Sequence, residues 1–236
     1  MKLACDRGGS GEKLLVLLHG LGANRHVWRA MLEANRWEGS WIAPDLRGHG
    51  ASPHAPKYTL YEHAADVAET IGPSWPEIVV LGHSMGGAIA LMLAGSGRIG
   101  PAYGLGIKVA WNDDELAGLN KMASAPVKWF ATREEAAARY LKVAGLAASD
   151  HPGIAQGENG WRLAADPAAA SIGPPPMREL IAAAKTPIHL ARGARDPMVS
   201  LKQLRGFDPA AVDIAGAGHN AMVERPDAVW DWLQGT

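Results

Sequence analysis

The chain has a single cysteine, Cys5, in 236 residues. That excludes an internal disulfide framework and any cysteine-rich zinc site. No apolar run approaches the roughly 20 residues of a membrane-spanning helix, so no membrane partner is expected. Met1 to Gly11 lacks the apolar segment of a signal peptide. Leu3-Ala4-Cys5 resembles a lipoprotein cleavage site, but no hydrophobic segment precedes it. A cytoplasmic protein is therefore expected. Charge of one sign is also missing: 23 Lys+Arg stand against 24 Asp+Glu. With no basic run, nucleic acid is not an expected partner. Phenylalanine is scarce, at two residues, whereas tryptophan numbers nine. Tryptophan is large and amphipathic, so most of these rings belong in a core and some can line a pocket.

What is present is a globular composition, 47% hydrophobic and 20% charged, enough for a sizeable core in one α/β domain with an insertion. Lys13 to His19, Trp41 to Asp45, Ile78 to Leu81, Gly104 to Ala110, Pro187 to Arg192 and Ala211 to Ala215 read as short buried strands. Between and after them, Asn24 to Ala34, Thr59 to Ile71, Gly87 to Ala94 and Pro226 to Leu233 have helical spacing, and Thr59 with Glu62 forms a capping pattern. The alternation predicts a doubly wound, mostly parallel sheet. It breaks between Trp111 and Lys185. There Asp113 to Ala123, Arg133 to Leu146 and Met177 to Lys185 look helical and no strand stands out. The expected organisation is a core of residues 1–110 and 186–236 with a helical cap, residues 111–185, over the carboxyl edge of the sheet. The glycine-bearing stretch from Asp150 to Gly160 reads as a hinge within it.

The motif with the most chemistry is Gly82-His83-Ser84-Met85-Gly86. Gly-x-Ser-x-Gly is common by chance in a chain with 28 glycines. Here, however, a strand precedes it and a helix follows, the context of a nucleophile elbow. Serine needs a base, a group to orient the base, and oxyanion donors. The base expected from chain order is His219, on the loop Gly216-Ala217-Gly218-His219-Asn220. The acid expected is Asp196 in Gly193-Ala194-Arg195-Asp196-Pro197. Asp113 and Asp114, after the preceding strand, are rivals that also suit helix capping. The oxyanion donors expected are the backbone amides of Met85, after the serine, and Leu21, in His19-Gly20-Leu21-Gly22. Trp111, Trp129 and Trp161 are the candidate pocket rings, with Phe130 beside them. The apolar, Ala-rich cap favours uncharged, moderately hydrophobic acyl groups.

These motifs, together with Asp45-Leu46-Arg47-Gly48-His49-Gly50-Ala51-Ser52, resemble the α/β-hydrolase superfamily from about Lys13 to Leu233, cap excepted. The resemblance implies a serine hydrolase without metal or organic cofactor, acting on a small ester-type substrate. Thioesterase, lactonase, C–C bond hydrolase and acyltransferase share the same triad, and a non-catalytic ligand-binding module shares the scaffold. The motifs do not choose the substrate, and nothing in the sequence fixes the oligomeric state. The resemblance also implies that His19, His49 and Asp45 brace loops, and His83 reads as packing.

Overall fold

The computed structural model describes residues 1–34 and 36–236. A seven-stranded sheet runs through the molecule. Its strands are β1 (Cys5–Gly9), β2 (Lys13–Leu18), β3 (Ser40–Pro44), β4 (Glu77–His83), β5 (Ala102–Leu105), β9 (Ile188–Gly193) and β10 (Val212–Ile214), in the spatial order β1-β3-β2-β4-β5-β9-β10. Only β1 is antiparallel to its neighbour.

Apolar runs without alternation are what a sheet covered on both faces requires. Leu14, Val16 and Leu18 of β2 pack with Ile78 and Val80 against α2 (Leu60–Ile71), α3 (Met85–Ala94) and α6 (Met177–Ala183). Leu15 and Leu17 face the other way with Val79 and Leu81. They meet Trp28, Met31 of α1 (Arg29–Ala34) and Val229 and Trp230 of α9 (Pro226–Gln234). Each such side chain contributes about 1.5–3 kcal/mol on full burial, so the two layers hold the sheet without disulfides. Two single-turn helices, α7 (Leu201–Leu204) and α8 (Ala221–Glu224), follow β9 and β10. Thr59 caps α2, its Oγ1 accepting from the Glu62 amide at 3.2 Å. Among the described residues no helix is long and apolar enough to cross a membrane.

Between β5 and β9 lie α4 (Asp113–Ala123) and α5 (Arg133–Ala144), each opened by a capping box, Asn112 with Glu115 and Thr132 with Glu135. The expectation of a strandless insertion is corrected here. β6 (Trp129–Phe130), β7 (Ile154–Gly157) and β8 (Gly160–Leu163) form an antiparallel sheet, ordered β6-β8-β7. The stretch read as a hinge is thus largely a hairpin, turning at Glu158-Asn159. The insertion is fastened to the loops at the carboxyl ends of the sheet. The Asp166 amide donates to the Gly48 carbonyl at 2.7 Å. Asn24 donates to the His151 carbonyl at 3.0 Å. Buried Asn220 donates to the Ala144 and Gly145 carbonyls, at 3.1 and 2.8 Å, where α5 ends.

Candidate active site

Every sequence-predicted polar group of the site lies just past the carboxyl end of a strand, where open α/β sheets bind ligands. Ser84 joins β4 to α3 with φ 52° and ψ −115°, the one non-glycine residue with positive φ among those described. Such backbone costs of order 1–3 kcal/mol and persists only where the surroundings enforce it. The enforcement is close packing: a Cβ on Gly82 would lie 2.0 Å from the Gly86 carbonyl oxygen. One on Gly86 would lie 2.2 Å from that of Leu18. Glycine at both positions lets strand and helix meet, and the serine is thrust out between them.

His219 and Asp196 are brought together. Nδ1 of His219 lies 2.7 Å from Oδ2 of Asp196, whose side chain is fully buried and whose Oδ1 accepts from the Met198 amide at 2.8 Å. A carboxylate partner on Nδ1 places the proton there and leaves the Nε2 lone pair free. The two loops touch at a glycine. A Cβ on Gly193 would sit 1.9 Å from the Gly218 carbonyl oxygen, and the Arg195 amide donates to Ala217 at 2.8 Å. Asp113 and Asp114 are exposed in the first turn of α4, and neither contacts His219 through a hydrogen bond or ion pair among the described residues. Ser84 Oγ makes no hydrogen bond among the described residues. Such contacts often tighten only with substrate present.

Leu21, Ser84 and Met85 line one small cavity of about 80 Å³, with Ile107, Lys108 and Trp111. Met85 is the first residue of α3, so its N–H has no partner within the helix and stands at the positive end of the helix dipole. The loop carrying Leu21 is held by histidines. His49 Nε2 accepts from the Gly22 amide at 3.0 Å, and its Nδ1–H donates to the Arg47 carbonyl at 3.0 Å. His19 Nε2 accepts from the Leu46 amide at 2.9 Å. Burial lowers the pKa of both rings, that of His49 to about 3, so they serve as neutral braces. Buried Asp45 accepts from the Arg25 and Ala51 amides at 2.8 Å each and pairs with the Arg25 guanidinium.

His83 does more than pack. Its Nε2–H donates to the His219 carbonyl at 2.9 Å, and the two rings meet edge to face with centroids 4.6 Å apart. Its position next to Ser84 is the only signal in the sequence, because the partner lies on a distant loop. Among the pocket rings, Trp111 lines the cavity at Ser84. Trp129 and Trp161 are not among the residues lining that cavity or the larger one, about 440 Å³, that begins at Leu21 and Gly22. Phe130 and Leu163 line the larger one instead. For Trp129 the reason is the two-residue period of a strand. Trp129 turns to the opposite face from Phe130 and lies over Gly157, with the Arg162 guanidinium 6.0 Å from its ring. Trp161 pairs with Phe130 in register and is half-buried beside it.

Residues 15–232 match the family model described as the alpha/beta hydrolase family. Over 96 residues the chain is 38% identical to the magnesium-chelatase 30 kDa subunit of Rhodobacter capsulatus, a stretch covering 38% of this chain and 32% of that protein. Over 124 residues it is 33% identical to protein phosphatase methylesterase 1 of Bos taurus, covering 49% of this chain and 33% of the relative. Each match thus spans about a third of the relative's own length. Among solved structures, E-2-(acetamidomethylene)succinate hydrolase superposes with a TM-score of 0.80 at 21% identity, over 99% of this chain and 94% of that one. At that identity the likeness is one of fold.

Proposed function

The chain belongs to the alpha/beta hydrolase family, and on that premise we propose that it is a serine hydrolase that cleaves carboxylic esters through an acyl-enzyme. The observation that carries the reading is the 2.7 Å contact between His219 Nδ1 and buried Asp196, with the His219 ring against His83, the residue before a serine held at positive φ. Ser84 Oγ attacks the ester carbonyl carbon and His219 Nε2 takes the serine proton. The carbonyl π electrons move to oxygen, and the amides of Leu21 and Met85 receive that oxyanion. Collapse breaks the bond to the alcohol oxygen, which leaves with the proton from His219. Water then repeats the sequence on the acyl-enzyme and frees the acid and Ser84. Asp196 orients the imidazole and stabilises its cationic form without itself taking the proton. Removing one oxyanion donor typically costs about 2.7–4 kcal/mol of transition-state stabilisation. In this reading residues 111–185 act as a cap that shapes the substrate cavity and excludes water, and the reaction uses no cofactor.

The bovine relative is named as a methylesterase, which supports ester hydrolysis over the other acyl transfers. The test is a fluorophosphonate probe followed by a panel of esters, thioesters and lactones of graded acyl length, with Ser84→Ala as blank. Labelling at Ser84 with esters turned over best is expected. No labelling, or labelling unchanged in Ser84→Ala, would defeat the assignment.

A further inference from the structure

We propose that the longer limb of the substrate is apolar and ends in an anionic group, held in the larger cavity beside Arg139 and Lys128. The inference rests on Ser84 being the nucleophile. Leu21 is common to both cavities, so a carbonyl whose oxygen sits at the Leu21 and Met85 amides extends one limb toward each. The cavity at Ser84 is about 80 Å³ and admits only a small limb. The other, at about 440 Å³, is walled by Val127, Phe130, Val143 and Leu163 and suits a longer apolar limb.

Its charged lining residues are Lys128, Arg139 and Asp166. The Asp166 carboxylate is already committed: Oδ2 accepts from the Tyr58 hydroxyl at 2.6 Å and Oδ1 from the Ala168 amide at 3.0 Å, with His54 Nδ1 3.6 Å from Oδ2. Arg139 and Lys128 have no carboxylate partner among the described residues. The natural helical partner of Arg139 is Glu135, one turn earlier. Its carboxylate instead turns back to the start of α5 and accepts from the Ala131 and Thr132 amides at 3.1 and 3.3 Å. The Lys128 ammonium lies over the Phe130 ring, 5.1 Å from its centroid, at the apolar wall itself. Two unpaired cations where an apolar cavity opens to water fit a carboxylate at the end of an apolar chain. This departs from the sequence-based expectation of uncharged acyl groups. That expectation follows from cap composition, which does not show where the carboxylates turn.

Both cations are exposed, so the preference is modest and sensitive to salt. The experiment compares two pairs of esters. In one the anion is on the acyl limb, monomethyl suberate against methyl octanoate. In the other it is on the alcohol limb, omega-acetoxyhexanoate against hexyl acetate. In the pair that is turned over better, kcat/KM should favour the anionic member by roughly five- to tenfold at low salt. Arg139→Gln and Lys128→Gln should each erode that preference, raising KM for the anionic member more than for the neutral one. Salt of about 1 M, where the screening length is roughly 3 Å, should erode it in the wild type. Equal or better turnover of the neutral member, or variants that alter both members alike, would overturn the proposal. So would an enzyme labelled at Ser84 that turns over neither pair. Absence of labelling together with absence of turnover would instead remove the nucleophile assignment on which it stands.

Discussion

His83 donates a 2.9 Å hydrogen bond from Nε2 to the carbonyl oxygen of His219. The residue before the elbow serine therefore holds the loop that carries the other histidine, and Asn220 ties that same loop to the end of α5. Burial drives the pKa of His83 well below the usual histidine range, so the ring stays neutral beside His219. His83→Leu should release the His219 backbone. A displacement on the 1 Å scale costs about 10²-fold in rate, so kcat should fall by about that factor with KM little changed. Steady-state kinetics and the rate of fluorophosphonate labelling should fall together. A variant with normal kcat and only a lowered Tm would show His83 to be packing alone.

Ser84 separates stability from activity. Ser84→Ala should lower turnover by around 10⁶, the scale for loss of a triad serine, and leave the melting temperature nearly unchanged. Ser84→Gly should be equally inactive but more stable, because glycine accepts φ 52° without strain. The gain should be about 1 kcal/mol, or roughly 2–4 °C in Tm for a chain of this size. Calorimetry on both variants checks it. A Ser84→Gly protein less stable than wild type would mean that the elbow is not strained.

Asp196→Asn should cost roughly 10⁴ in turnover, because an amide facing Nδ1 favours the wrong imidazole tautomer. Asp113→Asn and Asp114→Asn should change turnover little, since both carboxylates are exposed at the start of α4. A kcat comparison of the three single variants decides between them. Greater damage from either α4 substitution than from Asp196→Asn would move the acid to the segment after β5.

Much of this arrangement is legible in the sequence because it is local. A glycine-flanked serine between an apolar run and a helix carries its own context, and chain order then points to Asp196 and His219. What is not legible depends on partners far along the chain. β1 has the sequence Cys5-Asp6-Arg7-Gly8-Gly9, with no apolar pattern, and is a strand only because β3 pairs with it. β6 has two residues and β7 and β8 four each, too short to show a period. β5 ends at Leu105 rather than running to Ala110, because the apolar letters continue into the loop: Ile107 packs back into the core. Trp111, Trp129 and Trp161 are equal candidates for the pocket on sequence alone, and only strand register turns Trp129 away from Phe130.

Acid should destabilise this protein as pH falls below about 6.5. His63 is fully buried with neither ring nitrogen hydrogen-bonded among the described residues, and burial first, then His49 and Arg47, lowers its pKa to about 3. His49 is lowered to about 3 as well. Unfolded, both rings return to about 6.5. Below that pH the unfolded chain takes up protons that the folded chain refuses, so stability is full above about 6.5 and falls as pH drops toward 3. The slope is about 1.4 kcal/mol per pH unit for each such ring. Urea unfolding at stepped pH measures it. His63→Leu should be at least as stable as wild type near neutrality, because it deletes an unpaired polar ring. Its slope should be shallower by about one histidine's share. An unchanged slope would show that His63 does not titrate with unfolding.

The contact between the acid and histidine loops yields the sharpest structural prediction. Gly193 ends β9 at an ordinary negative φ, so backbone conformation does not demand glycine there. Space does: a Cβ would stand 1.9 Å from the Gly218 carbonyl oxygen and 2.6 Å from that of Ala217. Both obstacles are backbone, so a flexible side chain cannot move aside to relieve them. Gly193→Ala must push the His219 loop away from Asp196 or distort β9. Overpacking of this kind costs typically 1–3 kcal/mol. A shift near 1 Å at the His219–Asp196 pair adds about a 10²-fold loss of kcat. Gly118→Ala is the control. That residue lies in α4, and a Cβ there would meet nothing within 4 Å. Alanine should stabilise the helix by up to about 1 kcal/mol through its propensity. Paired thermal melts and kcat measurements should show Gly193→Ala losing both stability and activity and Gly118→Ala losing neither. If Gly193→Ala keeps wild-type kcat, the close approach of these two loops is not what holds His219 against Asp196.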